Sequence, residues 1–207
     1  MAPNAARPHL PDKAIMKLLH IDSSALADNS VTRQLTAAIV ARWQDEVPGL
    51  KVTYRDLDAE PLPHLTGPVL AKVDPAVAEA SEETLRQFLD ADVVVIGAPM
   101  YNFGIPSTLK SWIDRVAVAG RTFRYTEKGP EGLAGNKQVI IASGRGGIHS
   151  GAASDFQEPY LKFVLGFMGI TDVEFVRAEG VNYSPQHRVD AMASALASIP
   201  VPQRLAA

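Results

Sequence analysis

Three short stretches of this chain carry residue types better suited to a ligand than to a core. Residues 22–30, Asp-Ser-Ser-Ala-Leu-Ala-Asp-Asn-Ser, place hydroxyls just ahead of a helical pattern that opens at Val31 and Thr32. Unpaired N–H groups and the dipole at such an entrance favour a bound anion, and the polar side chains suit a terminal monophosphate. Ser30 also reads as a plain N-cap, and Asp28 opposes an anion unless its carboxylate points outward. Residues 98–106, Ala-Pro-Met-Tyr-Asn-Phe-Gly-Ile-Pro, set two aromatics and an Asn between prolines, the makings of a binding wall. Residues 144–151, Gly-Arg-Gly-Gly-Ile-His-Ser-Gly, let the backbone approach a flat, electron-rich edge and offer it successive N–H groups, the alternative being a flexible connector. His149 in that run is a candidate hydrogen-bond donor or proton relay, or a surface histidine.

Each stretch directly follows a run that reads as a strand, the one before residue 98 being apolar and β-branched. Residues 17–21, 92–97 and 137–143 read as strands one, three and four, 51–57 as an edge strand two, and 171–178 as strand five. Helical patterns follow at 31–43, 75–89, 107–118, 158–169 and 185–199. Leu35, Ile39, Val40 and Trp43 share one face, so Trp43 belongs to the core. The same spacing assigns Val77, Ala80, Ser81, Leu85 and Leu89 to an inward stripe, and Tyr160, Phe163 and Phe167 to the core first and a pocket second. Residues 61–68, with His64, read as an exposed Pro-rich loop. Residues 120–132 interrupt the alternation; Thr122 to Tyr125 alternates like a short strand or arm, and an insertion beside a binding edge often supplies a lid or subunit contact.

Alternating strands and helices predict an α/β doubly wound fold, a five-stranded parallel sheet in the order 2-1-3-4-5 with helices on both faces. In that order the ends of strands one, three and four are neighbours at the switch point, where one ligand can touch all three stretches. The 207 residues suit a single domain over 16–207, preceded at 1–15 by a Pro-containing extension expected to be mobile, with Met16 as a candidate start. The absence of cysteine excludes disulfides, thiolate catalysis and Cys-ligated metals, and no metal site is expected. A net charge of −3 gives no reason to expect nucleic acid, and the chain lacks an apolar run of membrane-spanning length or a signal-peptide core, so a cytoplasmic protein is expected.

Ser24, Ser30-Val31-Thr32, Pro99-Met100-Tyr101-Asn102-Phe103, Phe123-Arg124-Tyr125-Thr126 with Gly129-Pro130-Glu131-Gly132, Arg145-Gly146-Gly147-Ile148-His149, and the run from Leu165 to Val173 together resemble the bacterial FMN-dependent NADH:quinone oxidoreductase and azoreductase family. The resemblance implies a flavodoxin-like homodimer with noncovalent FMN at each subunit interface. It places Ser24, Ser30, Val31 and Thr32 at the phosphate, Met100, Tyr101, Asn102 and Phe103 along the isoalloxazine, and Gly144, Arg145, Gly146 and Gly147 along its pyrimidine edge. Phe103, Tyr125, His149 and Val164 would form the substrate wall, with Val164 where some members carry a Phe from the second subunit, and Gly144 where Ser is frequent. The implied activity is two-electron transfer from NADH or NADPH to a quinone or an aromatic azo compound in a ping-pong cycle. Flavin N5 carries the redox chemistry without a protein nucleophile; Asn102 and His149 are the hydrogen-bonding candidates, and N–H groups near Gly146 and Gly147 would face negative charge at N1/O2. A flavodoxin-type electron carrier, a reductase releasing reduced FMN, and an FMN-free regulatory module remain the alternatives.

Overall fold

The computed structural model describes residues 15–202, so the extension expected before Ile15 lies outside the described residues. Five strands form one parallel sheet: β1 (Lys17–Asp22), β2 (Lys51–Asp56), β3 (Val93–Pro99), β6 (Gln138–Gly144) and β7 (Asp172–Ala178), in the order β2-β1-β3-β6-β7. The expected count skipped two strands. β4 (Phe123–Thr126) and β5 (Gly129–Gly132) pair antiparallel in a separate hairpin, within the insertion where a short strand or arm is expected, so the strands expected as four and five are β6 and β7 and the order is numbered 2-1-3-6-7. A Gly-Pro-Glu-Gly segment has almost no intrinsic strand preference and becomes a strand only because Phe123 to Thr126 lies in register beside it.

β3 is buried along its whole length and alternates between two cores. Val93 and Val95 face a layer made with α1 (Val31–Glu46) and α6 (Pro185–Ala197), while Val94 and Ile96 face one made with α3 (Pro75–Asp90), α4 (Ser107–Val116) and α5 (Gln157–Phe167). A strand covered on both faces must be apolar at every position, which is why it reads as a continuous run. Trp43 is fully buried in the first layer; Trp112 and Phe88 meet edge to face at 5.5 Å in the second. A short α2 (Gly67–Leu70), capped by the Thr66 hydroxyl, stands at the end of the Pro-rich loop, where no helix is expected.

Three smaller expectations change. The inward face of α3 is Thr84, Leu85 and Phe88, with Ala80 exposed, because the helix docks by its C-terminal half. α4 ends at Val116, two residues before the expected 118, with Pro106 as its N-cap. Phe163 is 76% exposed, on the outer side of α5, so spacing alone misassigned it to the core.

The arm is fastened where its backbone meets that of the segment closing α5. Gly132 packs so closely on Met168 and Gly169 that a Cβ would lie inside their backbone, while the Ala134 N–H donates to the Met168 carbonyl at 2.9 Å. Phe123 also packs against Phe167 at 4.5 Å between ring centroids. Among the described residues no helix is long and apolar enough to cross a membrane.

Candidate functional site

The carboxyl ends of β1, β3 and β6 lie side by side because β1 pairs with β3 and β3 with β6. Outside them opens a cleft of about 170 Å³ lined by Ser24, Ser30, Val31, Thr32, Met100, Tyr101, Gly144, Arg145 and Gly146 from the three stretches singled out by sequence. Leu26, Asn29, Pro99, Val181, Asn182 and Arg188 complete it. Asn102, Phe103, Gly147 and His149 lie next to these residues but do not line the cleft, and Tyr125 and Val164 are not among its lining residues within one chain.

Its polar end is the entrance to α1. Ser30 caps the helix, its Oγ accepting the Arg33 N–H at 3.2 Å and lying 3.1 Å from Thr32 Oγ1. Among the described residues the Val31 and Thr32 N–H groups have no acceptor, the ordinary state of a first helical turn that faces a ligand or water. Asp28 is exposed, in a single 3-10 turn, and does not line the cleft. Ser24 is buried and its Oγ lies 3.2 Å from the Tyr101 hydroxyl, which also accepts the Ala25 N–H, so two of the three stretches are joined directly.

A scaffold that sequence reading did not identify holds this turn. Arg33 donates through Nη2 to the Ser24 carbonyl at 2.9 Å and grips Asp56 through both terminal nitrogens at 2.6 and 2.8 Å. That bidentate bond lowers the Asp56 pKa. Asp22 is buried, which alone would raise its pKa, yet His20, Thr36 Oγ1 at 2.8 Å and the Tyr54 hydroxyl at 3.1 Å bring it below 3.8. Burial and that carboxylate push Tyr54 up to about 12. The available signal was that β1 and β2 both end in Asp, at paired positions Asp22 and Asp56.

The second stretch turns back on itself. Tyr101 and Gly104 exchange both backbone hydrogen bonds at 3.0 Å around Asn102 and Phe103, which have φ of +48° and +69°. Two successive positive φ values match a type I′ turn; Asn tolerates this, whereas an aromatic residue there is strained. Phe103 is thereby held outward, half exposed, with its ring edge to His149 at 5.7 Å.

The third stretch is anchored from below. The Met100 N–H donates to the Gly144 carbonyl at 2.9 Å, and a Cβ at Gly144, as in Ser, would meet Thr32 Cγ2 at 3.0 Å. The side chain of Arg145 points inward with no exposure, to Asp155 and Glu158 at 2.9 Å and Glu179 at 3.3 Å, so only its backbone faces the cleft. Glu179 also accepts the N–H groups of His149 and Ser150. Burial opposes the charge on Asp155 and Glu179, but backbone N–H donors and Arg145 outweigh it, and both stay ionised below their usual range. Gly146 and Gly147 keep free N–H groups among the described residues, and their carbonyls receive Asn182 and Gly180 at 3.2 and 2.9 Å. A Cβ on Gly146 would strike the Asn182 amide at 2.6 Å. His149 has Nδ1 on Ser154 Oγ at 2.9 Å, and its Nε2 faces Gly147.

Asn182 and Arg188 come from the loop and helix after β7, where sequence offered only a strand end and a last helix. An anion-complementary helix entrance, a wall of aromatic and amide groups, and a row of free N–H groups on one cleft suit a flat molecule with an anionic tail. The family described as flavodoxin-like fold matches residues 16–200. The chain is 66% identical over 185 residues to the FMN-dependent NADH:quinone oxidoreductase of Stenotrophomonas maltophilia, covering 89% of this chain and 95% of that one. It is 56% identical over 198 residues to the enzyme of the same name from Laribacter hongkongensis, covering 89% and 98%. Among solved structures, an FMN-dependent NADH-azoreductase of Bacillus anthracis in complex with FMN superposes with a TM-score of 0.81 at 26% identity, covering 89% of this chain and 95% of that one.

Proposed function

This chain belongs to the flavodoxin-like fold family, and from that premise we propose that it is an FMN-dependent NADH:quinone oxidoreductase that also reduces aromatic azo compounds. What carries the proposal is the meeting of the α1 entrance, the Met100–Tyr101 wall and the Gly144–Gly146 backbone in one cleft, in a chain two-thirds identical to an enzyme of that name.

The cleft fits FMN by its own chemistry. Ser24, Ser30, Thr32 and the Val31 and Thr32 N–H groups would hold the phosphate; Met100 and Tyr101, extended by Asn102 and Phe103, would support the ring; Gly144 to Gly147 would follow its pyrimidine edge through backbone. Bound FMN would supply the two-electron chemistry between NADH and the acceptor. The chain's task is positioning. The Gly146 and Gly147 N–H groups, pre-oriented by the Arg145 cluster, stabilise negative charge beside them without reorganising. Phe103, edge to His149 beside the cleft, would cover one side of the bound ring, and His149, tethered at Nδ1, has Nε2 available to donate a proton toward the Gly147 edge.

A second copy of the chain completes the site in this reading. The cleft of about 170 Å³ falls below the roughly 300–1,000 Å³ usual for ligand pockets, and Tyr125, 75% exposed, together with Val164 would have to reach it from a partner.

Steady-state NADH oxidation by the FMN-loaded protein, with and without menadione, tests the proposal. Quinone-dependent turnover is expected. Its absence would overturn the enzyme reading in favour of an electron carrier.

A further inference from the structure

Of the residues that line the cleft, only Arg145 and Arg188 carry a charge. Arg145 is fully committed to Asp155, Glu158 and Glu179 on the far side of its own backbone. Arg188, on the first turns of α6, has no carboxylate within ion-pair distance among the described residues; its one hydrogen bond runs from Nη2 to the Asn29 carbonyl at 2.9 Å. Asn29 immediately precedes Ser30, the N-cap of α1. Among the described residues, the one uncommitted cation of the cleft is therefore pinned beside the helix entrance, with most of its five donors free. The other groups at that end, Ser24, Ser30, Thr32 and two backbone N–H groups, are neutral. A phosphate monoester carries about −1.5 to −2 charge at neutral pH, more than neutral donors and a half-charge of helix dipole offset.

Building on the FMN reading, we propose that Arg188 is a phosphate-binding residue that clamps the terminal phosphate of the cofactor against the α1 entrance, so that α6 makes the protein choose FMN over unphosphorylated riboflavin. A guanidinium suits this role because its planar fork accepts two phosphate oxygens while a remaining N–H keeps the bond to Asn29.

The test is titration of apoprotein with FMN and with riboflavin, followed by flavin fluorescence. Arg188→Ala should weaken FMN binding about 10- to 100-fold, the span of a lost charge-assisted hydrogen bond, and leave riboflavin binding within about twofold. Arg188→Gln keeps a donor for the Asn29 carbonyl and should lose FMN affinity in the same way, which covers the case in which the alanine variant folds poorly. Arg188→Lys should recover part of the loss, and the salt dependence of FMN binding should flatten in the uncharged variants. Equal weakening toward both flavins would reduce Arg188 to a structural tie between α6 and Asn29 and overturn the proposal, as would unchanged FMN affinity. A wild-type protein that takes up neither flavin overturns the FMN reading itself, and the clamp with it.

Discussion

The two ends of the cleft are built in opposite ways. At the polar end the supporting groups are tied within the chain, leaving N–H donors and Arg188 free: Ser24 to Tyr101, its carbonyl to Arg33, Arg33 to Asp56, and the glycine run to Arg145 and its three carboxylates. At the aromatic end Phe103, beside the cleft on a strained turn, faces solvent, as do Tyr125 on the arm and Phe163 on α5, neither of which lines the cleft within one chain. The difference teaches that one chain finishes the half that holds an anion and leaves open the half that would meet a substrate. On the proposed reading, cofactor affinity would be a property of the protomer, and acceptor choice a property of the dimer.

Breaking the polar end should have the largest effect. Arg145→Met leaves the buried Asp155 and the partly buried Glu179 without their cation, while Glu158 keeps Arg177, and urea unfolding should report a loss of about 3–5 kcal/mol, together with loss of FMN uptake. A loss under about 1 kcal/mol would mean that the cluster does not support the glycine run. The same cluster fixes a pH response. Asp155 and Glu179 have folded pKa values below their unfolded values of 3.8 and 4.5, so their contribution is complete above the unfolded values and disappears as pH falls through the folded ones. Thermal midpoints should hold steady from about pH 7 to 5 and drop below about pH 4, and the Arg145→Met variant should show a shallower drop.

Next in size is the arm. Gly132→Ala puts a methyl group into the backbone of Met168 and Gly169, a clash that no rotamer relieves, and should cost about 1–3 kcal/mol, seen as a Tm lower by roughly 2–12 °C. The sharpest contrast comes from the smallest stability change. Phe163→Ser removes an exposed ring and should alter monomer stability by no more than about 0.5 kcal/mol, while shifting the protein toward monomer in sedimentation and raising the KM for quinone. A dimer of unchanged affinity would take α5 out of the proposed interface.

The polar end was the more legible from sequence because its signals are local. A run such as Val93 to Ile96 declares a strand buried on both faces, and hydroxyls before Val31 declare a helix entrance. What sequence could not disclose depends on residues far apart in the chain. Arg145 has the look of a cofactor contact until Asp155 and Glu158 at the entrance of α5 and Glu179 after β7, brought from two places, claim its guanidinium. Arg188 sits 159 positions from Asn29 and resembles any solvated helix arginine until the fold sets them together. Phe163 keeps perfect helical spacing with Phe167 yet lies outside the core, since periodicity identifies a face without saying what covers it.

The turn at Asn102 and Phe103 has a consequence for anyone who would harden this protein against heat. An aromatic residue in the left-handed region is a poor choice for folding, and glycine is a better one. A selection scored on thermal survival alone should therefore enrich Phe103→Gly, yielding a sturdier chain and a duller catalyst. Retention of Phe103 in such a selection would mean the ring contributes to folding after all, through its contact with His149.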